Sequence, residues 1–437
     1  MNIAIIGAGY AGLTAAHDLG KEGHRVTLYE ALPEAGGLAA GFKAPHWEWP
    51  LEKFYHHLFT NDDAIISLAE ELGIGDRLTT YRPSTVVVHE DKLYPFDGAL
   101  PLLLYPGLSL PEKLRMGLTL AYLKVERRWH PFERVTAHEW LPRWMGRGGY
   151  EKVWEPMLLG KFGDFYRDVP MAWFWARIFK RTPRLIYPDG GFQTITDALV
   201  RAAKQHGAVL HLGTPVDAIR QDEEGWTVSS TEGSASFDRV IATVSPELLV
   251  RLVPALPDAY LRSLRDLDSL GAVVMTVALL QRLSEDSYWV NLDKRVYPML
   301  ALVEHTNMVD PKHYGGDHLI YLGDYLPPTH PYFSYDADQL FEVYEPVLRA
   351  FNPAYKRSWV RDKWLWKAHY AQPIVPLNYS GKIPPMRTPL AGLYFASMSQ
   401  VYPWDRGTNY AVEIGHKVAR EVLTDKIART ERATAPT

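Results

Sequence analysis

The apolar pattern changes period twice within the first thirty positions. Residues 2–7 run apolar into a glycine, 11–22 carry apolar side chains at helical spacing, and 25–30 run apolar again to an acid. This predicts a buried parallel strand, a helix and a second strand, one βαβ unit. A glycine-rich loop follows at 34–41, and 62–72 read as a helix stopped by Gly73. From Pro83 to about Arg184 the character shifts: 86–89 and 92–96 look like a hairpin, and the rest reads as helices rich in Trp, Arg and Leu. Gly190-Gly191 mark a return. Beyond them 194–206 predict a helix and 208–212, 226–230 and 239–244 strands, the last added to the first parallel sheet. Residues 272–280, 288–291, 298–304 and 318–322 read as strands of a second sheet. A helix is predicted over 339–351, a last buried strand over 393–396 and a last helix over 409–423. The polar tail beyond Asp425 is expected to fray.

Length suits two domains, since 437 residues exceed one compact core. A net charge of −4 argues against a nucleic-acid partner, whose phosphates demand a basic face. There are no cysteines. That excludes disulfides, thiolate metal sites, a redox-active Cys pair and a cysteinyl-linked flavin, and no metal site is expected. The 14 Trp and 25 Tyr suit a well-packed core, or an aromatic pocket for a flat ligand. The first apolar run enters a glycine motif directly, so it reads as a strand and not an export signal. With no run of 18 apolar residues to span a bilayer, a cytoplasmic protein is expected.

Gly7-Ala8-Gly9-Tyr10-Ala11-Gly12 is a GxGxxG run with strand before and helix after. Gly7 permits the tight turn, Gly9 lets backbone approach a pyrophosphate, and Gly12 lets helix and strand pack closely. The helix N-terminus offers N–H groups and a positive dipole end to phosphates. Glu30 is placed to accept from ribose hydroxyls and to repel a 2′-phosphate. This motif alone does not separate NAD from FAD.

The next residues, Glu30-Ala31-Leu32-Pro33-Glu34-Ala35-Gly36-Gly37-Leu38, resemble the second fingerprint of FAD enzymes. That superfamily includes amine oxidases, protoporphyrinogen oxidases, phytoene desaturases and UDP-galactopyranose mutase. The Arg residues that usually flank the glycine pair are Glu34 and Leu38 here. Tyr187–Ile195 is similar to the family's glycine turn back to the FAD domain, Thr214-Pro215-Val216 to its adenine-side segment, and 388–423 to its closing strand and helix. The usual Ala-Gly-Asp after that strand is replaced by Ala396-Ser397-Met398.

The resemblance implies an α/β fold: a Rossmann-type FAD-binding domain (1–80, 185–265 and 375–425) with an α+β substrate domain (81–184 and 266–374) inserted discontinuously and a flexible tail (426–437). It implies noncovalent FAD held by Gly7, Ala8, Gly9, Tyr10, Ala11, Gly12, Glu30, Ala31, Gly36, Gly37, Leu38 and Val216. The loop into the last helix, Asp405, Arg406, Gly407, Thr408 and Asn409, is expected at the flavin, with Asp405 or Arg406 standing in for the missing acid.

On the substrate side, His56 and His57 follow the Gly-Gly loop where the superfamily's chain passes the flavin; a neutral imidazole there suits proton transfer, and packing is the alternative. Lys367 is the candidate for the lysine that amine oxidases hold near flavin N5. Lys161, Arg177, Arg181, Trp366 and Tyr402 are candidate substrate contacts; the basic run 177–184 suits carboxylates or a diphosphate, or is a solvated face. The apolar stretch 100–108 suits either peripheral membrane contact or core packing. Three functions follow: oxidation of an amine, cyclic or isoprenoid substrate by hydride transfer to flavin N5, with oxygen, a quinone or another acceptor; a UDP-sugar mutase without net redox change; or a nucleotide-binding scaffold.

Overall fold

A computed structural model describes residues 1–90, 92–223 and 225–425, so the expectation for the tail at 426–437 lies outside the described residues. The first strand, Asn2–Ile6, pairs in parallel with Arg25–Tyr29 on one side and Arg239–Ala242 on the other. Val209–His211 and Leu393–Phe395 complete a five-stranded parallel sheet, so its strands come from three separate stretches of chain. The predicted placement of the strand near 239 is what the sheet shows.

Helices Tyr10–Lys21, Phe192–Gln205 and Thr408–Thr424 cover this sheet with Ile3, Ile5, Leu13, Leu199 and Val418 fully buried. Their contact is close because glycines sit at the crossings. A Cβ on Gly12 would lie 2.0 Å from the Gly7 carbonyl oxygen, and one on Gly415 would lie 2.6 Å from the Ala11 carbonyl oxygen.

The second sheet has seven strands, in the order Val360–Pro373, Ser269–Leu279, His318–Leu326, Ala301–Glu304, Ser287–Asn291, Ser84–His89 and Lys92–Pro95. The predicted hairpin therefore joins this sheet, through a parallel pairing with Ser287–Asn291. Helix Ala337–Phe351 packs on it, burying Leu340, Tyr344 and Leu348 against Val273, Met275 and Leu322. The stretch that carries Trp366 and Lys367, not among the predicted strands, is a fourteen-residue edge strand, Val360–Pro373. Helices Leu110–Val125, Ala137–Met145, Glu155–Phe162 and Met171–Lys180 bury Met116, Leu141, Leu158 and Phe174 in one core with Val240 and Ala242 of the parallel sheet.

Loop 41–53 joins the two sheets' layers around one buried acid. Glu52 accepts from the Phe192 amide at 2.6 Å and the Tyr187 hydroxyl at 2.9 Å, and its own carbonyl accepts from Tyr321 at 2.7 Å. The Gly190-Gly191 turn sits against it: a Cβ on Gly191 would fall 2.8 Å from the Pro50 carbonyl oxygen. Burial raises the Glu52 carboxyl to about 7, more than these donors lower it.

Candidate cofactor cavity and substrate side

A cavity of about 770 Å³ opens at the carboxyl ends of the parallel strands, lined by Ile6 and Gly7, Tyr29 and Glu30, Thr243 and Val244, and Ala396. This is where open α/β sheets bind ligands, because strand ends and helix starts leave backbone groups free there. The two glycine loops touch each other at its floor. The Gly36 amide donates to the Ala8 carbonyl at 2.9 Å, and a Cβ on Gly37 would approach the Gly9 Cα to 3.2 Å. Gly36 has φ +117°, a region that side chains disfavour.

Two helices begin at this cavity. Tyr10–Lys21 follows Gly9 and Thr408–Thr424 follows Gly407, and neither glycine caps the first N–H groups with a side chain. Both positive dipole ends therefore face the cavity, where anionic or carbonyl oxygens are stabilised. Glu30 closes the first loop: Oε2 accepts from the Ala8 amide at 2.8 Å and Oε1 from the Leu32 amide at 2.9 Å.

Of the residues singled out for cofactor contact, Gly7, Gly9, Tyr10, Ala11, Glu30, Ala31, Gly36, Gly37, Leu38, Val216, Arg406, Gly407 and Thr408 line the cavity. Ala8 and Gly12 stand behind it, as loop amide and packing contact. Asp405 and Asn409 do not line it. The Asn409 side-chain oxygen Oδ1 caps helix Asp63–Glu71, accepting from the Ala64 and Ile65 amides at 2.9 and 3.2 Å. Asp405 turns to Lys161 at 2.7 Å, so it does not replace the missing acid of the Ala396-Ser397-Met398 stretch. At that stretch Tyr370 bonds the Ser397 and Ser399 hydroxyls, both at 2.8 Å. Tyr370, Ser397 and Thr243 were not anticipated as lining groups. Tyr370 and its neighbour Ala371 both line the cavity, because a register shift between the Ala272–Ala368 and Leu270–Gln372 pairs breaks the strand's alternation there.

Lys367 accordingly fails as the lysine beside the flavin. It is exposed, with Nζ donating to the Phe333 and Tyr335 carbonyls at 2.9 and 2.6 Å. Trp366 packs on Phe42 with ring centroids 4.6 Å apart, beneath the Lys53 ammonium, and does not line the cavity. Tyr402 packs edge-on against Trp129 and Tyr379 and does not line it either.

His56 lines the cavity and His57 does not. His56 Nδ1 donates to the Phe54 carbonyl at 2.7 Å, which leaves Nε2 as its free acceptor. Burial pulls its pKa down to about 4, and Arg406 adds to the effect. His57 lies among Phe59, Tyr288 and Trp289, with Nδ1 3.3 Å from the Tyr288 hydroxyl. Its pKa falls to about 3, through burial and then through Arg181 and Arg177 nearby.

The remaining candidates form a half-buried cationic group beside Arg406. Lys161 lies 5.4 Å from the Trp173 ring and 5.7 Å from the Tyr325 ring, Arg177 lies 5.9 Å from Trp173, and Arg406 lies 5.0 Å from Tyr325. Arg406 also bonds the Tyr325 hydroxyl, and Gln372 at 3.1 Å. Burial lowers Lys161 to about 8 and, with Arg177 adding, Arg181 to about 10. Burial works to raise Asp405, yet Lys161 and Arg406 hold it below its usual value, so it stays ionised. Asp405 thus faces three cations, Lys161, Arg406 and Arg177, while Asp97 acts on Arg181.

The family profile of flavin-containing amine oxidoreductases matches residues 10–423. The chain belongs to that family. Its cofactor is FAD, and the cavity fits it: two uncapped helix starts and an acid at the second strand's end suit a dinucleotide. The flavin-containing monoamine oxidase AofH assigned in Mycobacterium tuberculosis is 27% identical over 280 residues, 60% of this chain and 61% of that protein. The chain thus spans about three fifths of that relative. Bovine flavin-containing amine oxidase A is 23% identical, over 97% of this chain and 85% of its own. A solved Exiguobacterium structure, assigned as a protoporphyrinogen oxidase, superposes with a TM-score of 0.78 at 17% identity, covering 96% of this chain and 98% of its own.

Proposed function

We propose that the protein is an FAD-dependent oxidoreductase that takes a hydride from an organic substrate carrying an acidic group. The carbon skeleton is that of an amine, a cyclic compound or an isoprenoid. The carrying observation is the cationic group of Lys161, Arg177, Arg181 and Arg406, joined to the cofactor cavity through Arg406. Half-buried guanidinium groups that outnumber the carboxylates acting on them, Asp405 and Asp97, favour an anionic ligand and repel a protonated amine. In this reading 1–80, 185–265 and 375–425 form the FAD-binding domain and 81–184 and 266–374 the substrate domain.

Bound FAD supplies the two-electron acceptor, and oxygen, a quinone or another acceptor removes the electrons. Glu30 and the glycine loops hold the nucleotide, and the start of helix Thr408–Thr424 stabilises negative charge next to Arg406. Arg177 and Arg181 orient the substrate's acid. His56, neutral above about pH 4, offers Nε2 as acceptor for a proton or hydrogen bond at the cavity wall. A sugar-nucleotide mutase has no support in the relatives above.

The test is anaerobic reduction of the yellow holoprotein by matched compounds with and without a carboxylate. Bleaching by the acids alone is the expected result. Bleaching by simple amines alone would overturn the substrate reading, and a colourless protein lacking FAD would overturn the rest.

A further inference from the structure

Nine of the fifteen large apolar side chains exposed among the described residues sit on two consecutive helices and one neighbour. Helix Ala99–Leu104 exposes Leu100, Leu103 and Leu104, the last by 71%. Helix Leu110–Val125 exposes Leu110, Leu114, Leu118, Tyr122 and Val125, with Leu118 at 74% and Val125 at 73%. Trp144 extends the surface by stacking on Tyr122, ring centroids 5.9 Å apart.

These positions are not random along the second helix. Leu110, Leu114, Leu118, Tyr122 and Val125 recur at intervals of three and four, which aligns them in one stripe. The opposite stripe, Met116, Thr119 and Leu123, is buried against the protein. The helix is therefore apolar on two faces and has a protein partner for only one. A contiguous apolar surface of this kind on a folded chain marks an interaction site.

The charges around the stripe say what covers it. The segment from Asp97 to Arg128 carries Lys113, Arg115, Lys124, Arg127 and Arg128 against the acids Asp97, Glu112 and Glu126, in a chain whose net charge is −4. Two of those acids are engaged locally: Glu112 caps its helix through Ser109, and Glu126 holds Arg128. An apolar stripe with cationic flanks matches an interface of acyl chains beneath anionic headgroups. It does not favour self-association, which would bring the same cations together across a two-fold axis.

We propose that helices Ala99–Leu104 and Leu110–Val125 form a docking surface for an anionic membrane, with the apolar stripe seated at the headgroup boundary. No described helix is long and apolar enough to cross a membrane, so this contact lies in the interface plane. The surface adjoins the substrate side. Lys124 Nζ donates to the carbonyls of Ile178, Phe179 and Arg181, at the end of the helix that carries Arg177. A substrate with an apolar body and an acidic head would meet the cations from that side.

The experiment is vesicle flotation of the full-length holoprotein at fixed salt. One vesicle set is phosphatidylcholine alone and the other contains one quarter phosphatidylglycerol. The protein is expected to float with the anionic set and to do so less with the neutral set. Leu114→Glu/Leu118→Glu is expected to lower its partition roughly ten-fold or more while FAD content and melting temperature stay unchanged, because both side chains are already in water. Leu114→Ser/Leu118→Ser, adding no charge, is expected to fall in between. Wild-type protein that stays with the soluble fraction overturns the proposal, as does undiminished flotation of the Glu variant. Light scattering that shows a dimer dissolved by the Glu variant also overturns it, since the stripe would then belong to a second copy.

Discussion

At single residues, polarity and burial set the tasks. Glu30 holds the Ala8 and Leu32 amides while facing the cavity. Glu30→Ala is expected to weaken FAD by about 1–3 kcal/mol, the loss of a hydrogen-bonded carboxylate at a buried ligand. Equilibrium dialysis of apoprotein checks this, and unchanged affinity would exclude a cofactor role. His56 stands differently from His57: its Nε2 is free at the cavity wall. If it moves a proton, His56→Ala should slow anaerobic flavin reduction about 10²–10⁴-fold with FAD retained. His57→Ala should leave that rate near wild type and lower stability instead. Because burial puts the His56 pKa near 4, its contribution should stay flat from neutral pH down to about 5 and fall as pH drops through 4. Histidine pairs are easy to pick out in a sequence. Which ring turns outward is set by the carbonyl of Phe54 and the aromatic neighbours of His57, and neither contact has a local signature.

Among the elements, the helix starts matter most. The first helix can begin at the cavity only because Gly12 lets it lie on the first loop. Gly12→Ala would place a methyl 2.0 Å from the Gly7 carbonyl oxygen, where backbone and not a mobile side chain must yield. The expected cost is about 1–3 kcal/mol of stability or more, together with loss of FAD; thermal melting and the yellow absorbance read both. A full FAD complement with wild-type melting would show that the loop relaxes. This helix was readable because glycine spacing and apolar period agree within thirty residues. The edge strand Val360–Pro373 was not: Trp366 and Lys367 were read only as candidate site residues, and the register shift beyond Ala368 that brings both Tyr370 and Ala371 to the cavity has no local signature.

For the whole molecule, several buried titratable groups oppose one another. His305 is 2% exposed, its Nε2 lies 2.8 Å from the Tyr314 hydroxyl, and burial lowers its pKa to about 3. A histidine whose folded pKa is depressed binds fewer protons than in the unfolded chain. Its stability is fully present above about pH 6.5 and is lost as pH falls through the folded value, by up to about 1.4 kcal/mol per pH unit. Glu52 acts in the other direction: its raised pKa means stability present below its ordinary value of 4.5 and lost as pH rises through about 7. His305→Gln should therefore lose less melting temperature than wild type between pH 6.5 and 4.5, and Glu52→Gln should lose less between pH 5 and 8. Parallel slopes for variant and wild type would remove these groups from the pH response.

The sequence by itself determined the βαβ unit, its glycine turns, the acid at the second strand and the absence of thiol chemistry. Each rests on residues close together in the chain, where period and spacing carry the physical constraint. It also contained both histidines and the basic run 177–184 without saying where they point. Only the tertiary structure decided that Arg406, Lys161, Arg177 and Arg181 share one half-buried region beside the cavity. Only it showed that Asp405 pairs with Lys161 and that Asn409 caps a helix more than three hundred residues earlier in the chain. Those outcomes depend on how two sheets, built from interleaved stretches of chain, meet across loop 41–53. Desolvation and long-range charge act through space, and the order of residues along the chain does not record which of them become neighbours.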